Sequence, residues 1–61
     1  MIPKDPMILL SYVNLKLRDY YNSLGAMCED LDVEQEDLCT RLQTIGYYYN
    51  QEKNQFDTKV S

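Results

Sequence analysis

Histidine is absent from this 61-residue chain, and glycine, proline and cysteine occur only twice each. Each shortage closes a class of function. Without histidine there is no imidazole to serve as general base or as a zinc ligand, and no nucleophile elbow replaces it. Two isolated glycines cannot build a phosphate-cradling loop. Cys28 and Cys39 are too few for a zinc tetrad and a poor match to a dense disulfide scaffold, so they read as buried, reduced thiols. Cys39 has Arg41 nearby as the one basic neighbour able to lower a thiol pKa. The start Met1-Ile2-Pro3-Lys4 has no apolar signal-peptide core, and no stretch approaches the roughly 18 apolar residues of a membrane span. The expectation is a soluble, cytoplasmic, non-enzymatic protein with no cofactor, no metal and no membrane contact. Positive charge is also scarce, with six Lys and Arg against ten Asp and Glu for a net charge of -4. That is the wrong sign for a general binder of polyanions.

A chain of this length forms one domain and buries only about 60% of the surface that its unfolded form exposes. Its elements are legible. Asp5 followed by Pro6 opens a first helix expected over residues 6–21, Asp as cap and Pro at the first helical position. Its apolar stripe runs through Met7, Leu10, Val13, Leu17 and Tyr20 or Tyr21, widened by Ile8, Leu9, Tyr12 and Leu15. Ser23 caps a short second helix over 23–31, with Leu24, Met27, Cys28 and Leu31 at i, i+3, i+4 and i+7. A third helix over 34–45 follows, with Asp32 and Gln35 at capping-box spacing, acids in its first turn, Leu38, Leu42 and Ile45 facing inward and Gly46 just past its end. From Tyr47 the pattern turns aromatic and strand-like, and a hairpin over 47–59 turns through the polar run Asn50 to Asn54. Tyr47, Tyr49 and Phe56 are expected to anchor it on the helices, because an isolated hairpin is barely stable in water.

The predicted fold is mainly α: a three-helix, helix-turn-helix-like bundle with a short C-terminal β-hairpin, in the manner of a small winged helix. The predicted core is Leu10, Val13, Leu17, Leu24, Cys28, Leu31, Leu38, Leu42 and Ile45. The opening IPKDPMILLSYVNLKLRDYYNSL, and the ending from Tyr47 to Phe56 with its NQF, resemble a bacterial small-protein family, the domain-of-unknown-function family numbered forty-two fifty. The resemblance extends from Met1 to about Phe56. It implies a free-standing small protein and carries no catalytic or binding residue with it.

Six carboxylates, Glu29, Asp30, Asp32, Glu34, Glu36 and Asp37, crowd nine positions that hold no base. Asp30, Asp32, Glu34 and Glu36 imitate the first ligands of an EF-hand loop. Gln35 then stands where the loop needs glycine, and Arg41 where it needs a bidentate glutamate, so calcium is not expected. In a DNA complex the third helix would present these acids toward phosphates. The alternative reading, a small DNA-binding regulator, rests on a basic face made from Lys16, Arg18, Arg41 and Lys53. The leading reading is a protein-interaction module. Six tyrosines are many for so small a core, and adjacent ones cannot all point inward. Tyr20, Tyr21 and Tyr48, with Asp32 and Glu36 of the acidic turn, are the candidate contacts to an unidentified protein partner or across a homodimer.

Overall fold

In a computed structural model, residues 3–58 are described. Three helices, α1 (Pro6–Asp19), α2 (Leu24–Leu31) and α3 (Gln35–Gln43), precede an antiparallel hairpin of β1 (Tyr47–Asn50) and β2 (Gln55–Thr58). The architecture is the expected one, and the expected end of the hairpin at residue 59 lies outside the described residues. The N-termini of α1 and α2 follow from local chemistry. The Asp5 carboxylate accepts from the N–H groups of Met7 and Ile8 at 2.9 and 3.3 Å, and Ser23 Oγ accepts from the Ala26 N–H at 3.1 Å, which satisfies amides that a helix start leaves without partners.

The helix ends differ from the sequence pattern in instructive ways. α1 stops at Asp19 and not at residue 21, because Asn54 Nδ2 takes the Leu17 carbonyl at 3.1 Å and the Tyr21 N–H bonds instead to the Lys16 carbonyl at 3.0 Å. The Asp32–Gln35 capping box does not form. Asp32 is used one step earlier, closing α2 in the left-handed conformation at φ 55°, while Val33 N–H reaches back to the Cys28 carbonyl at 2.9 Å. This is the Schellman closure normally given to glycine. α3 therefore starts at Gln35 behind Glu34, which makes no side-chain cap. α3 ends at Gln43, and Gly46 turns the chain at φ 82° into β1, a conformation that only glycine adopts cheaply.

The core lies between the helices and the inner face of the hairpin. It comprises Leu9, Leu10, Val13, Leu17, Leu24, Met27, Cys28, Leu38, Leu42 and Phe56. Leu31 and Ile45, assigned to the core from sequence, are only partly buried: Leu31 is the last residue of α2, and Ile45 lies two residues past the end of α3. Met7, assigned to the inward stripe of α1, is exposed, and Leu9 takes its place. Leu9, Val13 and Leu17 form one i, i+4 row, with Leu10 beside it. Phe56 is 1% exposed and meets the Tyr49 ring at 5.5 Å in a tilted arrangement, the favoured geometry for an aromatic pair.

Candidate functional site

The hairpin register pairs Tyr47 with Thr58, Tyr48 with Asp57, Tyr49 with Phe56 and Asn50 with Gln55. Side chains alternate across a strand, so Tyr47, Tyr49 and Phe56 share the inner face and Tyr48, Asn50, Gln55 and Asp57 the outer one. On that outer face the Asp57 carboxylate accepts from Gln55 Nε2 at 2.6 Å and from Asn50 Nδ2 at 3.4 Å. The Tyr48 ring stands beside this polar cluster, 41% exposed.

The two edges of the hairpin are treated differently. Asn14 of α1 lays its amide along β2: its Nδ2 donates to the Phe56 carbonyl at 3.1 Å, and its Oδ1 accepts from the Phe56 N–H at 2.7 Å. One side chain thus occupies both main-chain groups that an added strand would need. Phe56 pointing these groups away from β1 also fixes the ladder alternation. Its partner Tyr49 and, two residues earlier, Tyr47 must point their own N–H and C=O groups outward from β1. No side chain or backbone group among the described residues bonds to them.

A second asparagine ties the hairpin to the end of α1. Asn54 sits in the left-handed conformation at φ 53°, donates from Nδ2 to the carbonyls of Leu17 and Tyr21 at 3.1 and 3.0 Å, and accepts from the Tyr49 hydroxyl at 2.6 Å. Asn50 Oδ1 accepts from the Lys53 N–H at 3.1 Å and steadies the turn between the strands. Asn14 and Asn54 were not singled out in the sequence reading. The only local signal was that an asparagine ending a polar turn suits a left-handed residue.

The acidic corner occupies the end of α2 and the start of α3. Glu29, Asp30, Asp32, Glu34, Glu36 and Asp37 are all exposed. Asp30 accepts a hydrogen bond from the Tyr21 hydroxyl, which raises the pKa of that phenol above its ordinary value of 10.0, with lesser contributions from burial and neighbouring charge. Asp37 pairs with Arg41 one turn later at 3.3 Å. Asp32 and Glu36 flank this corner, whereas Tyr48 lies on the hairpin.

The candidate basic residues are distributed over several faces. Lys16 lies over the rings of Tyr12 and Tyr20, its Nζ 5.4 and 4.6 Å from their centroids. Tyr20, 68% exposed, is the most open large apolar side chain among the described residues. Arg18 pairs with Asp19 at 3.1 Å; two residues along a helix place it about 160° around the axis from Lys16. Arg18 and Lys53 line one open groove between α1 and the hairpin, and Arg41 sits on α3. The cysteines offer no activated thiol: burial pushes both Cys28 and Cys39 upward in pKa, and Arg41 does not offset this at Cys39. Among the described residues no three side chains cluster as metal ligands, and no helix is long and apolar enough to cross a membrane.

Three helices closed by a side-chain-latched hairpin, with a bare acidic corner and tyrosines on open faces, define a small helix–hairpin domain whose distinguishing features lie on its surface. The chain belongs to the family described as Domain of unknown function (DUF4250), which matches residues 3–56, as its IPKDP opening and NQF ending implied. No curated protein and no solved structure matches the chain.

Proposed function

We propose that this protein is a non-enzymatic protein-interaction module. The observation that carries the reading is the pairing of open aromatic surface, Tyr48 on the hairpin and Tyr20 at the end of α1, with an acidic corner in which, among the described residues, one carboxylate of six is ion-paired. Tyrosine supplies large contact area with few rotors to freeze, and a patch of one charge sign steers and orients a partner of the opposite sign. The partner chemistry that fits is a basic protein surface. Tyr21 belongs to the same region, its hydroxyl held by Asp30 and its ring half-buried.

The second reading, a small DNA-binding regulator, draws on the helix-turn-helix-like order of α2 and α3 and on Lys16, Arg18, Arg41 and Lys53. It is the weaker of the two. Glu36 and Asp37 occupy the first turn of α3, Arg41 is engaged by Asp37, and Lys16 and Arg18 face opposite sides of α1. A basic face of two to four phosphate contacts gives weak, salt-sensitive binding. Fluorescence anisotropy of a labelled random duplex, titrated at about 50 and about 200 mM salt, separates the readings. The expected result is flat anisotropy at both salts. Micromolar binding at low salt that collapses at high salt, and that is lost on R41E/K53E substitution, would promote the DNA reading.

A further inference from the structure

The two free edges of a hairpin are normally both hazards, since each presents unpaired N–H and C=O groups to any passing strand. Natural proteins blunt them with lysine, proline, bulges or a covering element. Here β2 is closed by the Asn14 amide bonded to both main-chain groups of Phe56. Among the described residues β1 has no such protection. Its residues Tyr47–Asn50 include no proline and no charge, its φ angles contain no bulge-forming left-handed residue, and the flanks Ile45, Gly46 and Gln51 are also uncharged. Unpaired backbone groups are bonded to water or to a partner, and among the described residues Tyr47 and Tyr49 have no internal one.

We infer that β1 is the site at which a second copy of this chain adds, antiparallel, so that two hairpins form one four-stranded sheet with its two-fold axis at Tyr48. The inference rests on the protein-interaction reading and adds to it self-association through this edge, beside the basic partner that the acidic corner suits. The geometry selects the register. Because Tyr47 and Tyr49 are the residues whose main-chain groups face outward, the self-complementary alignment sets Tyr47 of one copy opposite Tyr49 of the other, where they exchange both hydrogen bonds. Tyr48 then meets Tyr48 as the close, non-hydrogen-bonded pair, with Cβ atoms about 4.5 to 5.5 Å apart and both rings on the outer face. Charge narrows the choice of edge. Two copies with net charge -4 repel, and the uncharged run from Leu42 to Gln51 lets them approach along β1 without setting acid against acid. A joint through β2 would instead bring up Asp57 and require Asn14 to withdraw. Four residues per strand cover less than the roughly 1,200 Å² of a standard stable interface, so the dimer is weak and concentration-dependent.

Sedimentation velocity of the intact chain from about 10 μM to about 1 mM, a range that brackets weak association, is the test. The expected result is an average mass that climbs toward twice the monomer's, while hydrogen exchange at the Tyr47 and Tyr49 amides slows only at the high end. Tyr48→Lys and Tyr48→Asp should each abolish the rise, and an equimolar mixture of the two should restore it. Tyr48→Thr, uncharged and strand-compatible, should retain it. Because Tyr48 is partly exposed on the outer face, all three variants should keep the native circular dichroism spectrum. A monomer at every concentration, association in which those two amides still exchange freely, or no recovery on mixing would each overturn the proposal. Binding of a basic protein surface by a chain that stays monomeric would do the same, while leaving the protein-interaction reading intact.

Discussion

Among the described residues Asn54 makes more side-chain hydrogen bonds than any other. It holds a left-handed backbone, donates to two carbonyls at the end of α1 and accepts from Tyr49. These roles separate under substitution. Asn54→Gly keeps the backbone conformation and loses the three side-chain hydrogen bonds, each worth about 0.5 to 1.5 kcal/mol net. Asn54→Ala loses the same bonds and adds the left-handed penalty, about 1 to 2 kcal/mol for an ordinary residue. Asn54→Asp sets an acceptor against two carbonyls. Urea denaturation should therefore rank stability as wild type, then glycine, then alanine, and an alanine variant as stable as the glycine variant would show that backbone strain is not part of the effect. Asn14 has a narrower role, because both its bonds go to one residue of β2 and its loss should loosen the edge without releasing the end of α1.

Among the elements, the junction of α1 with α2 contains a titrating contact. The Tyr21 hydroxyl donates to Asp30, and this bond is the largest cause of the raised phenol pKa. The folded state favours the neutral phenol, so the contribution is complete below the ordinary value of 10.0 and disappears as pH rises through the higher folded value. Wild type should lose stability across that alkaline window more steeply than Tyr21→Phe, measured by urea midpoints at successive pH values. Parallel curves would assign the alkaline loss to other groups, among them the buried Cys28 thiol and that of Cys39, which was expected to be buried and is only partly so. Element by element, the sequence was most readable where the signal is local. Asp5-Pro6, Ser23 and Gly46 mark boundaries by chemistry that acts within one turn; the first two act as read, whereas Gly46 takes its left-handed conformation three residues past the end of α3, whose C-cap is Thr44. What escaped was long-range or competitive. Nothing near Leu17 announces that a side chain 37 positions later will take its carbonyl and end α1 early. Asp32 was read as capping α3, and the structure uses it instead to close α2. Phe56 looked like one aromatic anchor among several and is one of the most deeply buried side chains, because β2 presses against α1. The candidate surface was legible as composition, surplus tyrosine and clustered acid, but not as geometry. Spacing alone could not tell that Tyr20 would stack on Lys16 or that Tyr48 would face outward.

At the scale of the whole molecule, stability rests on a small set of side chains with little redundancy. Leu17 and Leu42 are 2% and 0% exposed, and truncating either to alanine costs about 2 to 5 kcal/mol. A domain of this size has about 3 to 5 kcal/mol in total. Leu17→Ala and Leu42→Ala should each abolish or nearly abolish the cooperative thermal transition, whereas Leu15→Ala, at an exposed position, should leave it almost unchanged. A sharp transition retained in both core variants would refute the core assignment. The thin margin also bears on regulation by partners: any ligand that binds only the folded state raises the apparent stability in proportion to the logarithm of its concentration.

The Asn54 latch also ties order at one end of the fold to order at the other. The amide that ends α1 and the ring that seals its buried face come from residues 54 and 56, so neither α1 nor the hairpin keeps its native contacts without the other. The two therefore open and close as one unit, and a probe placed on either should report the same unfolding transition.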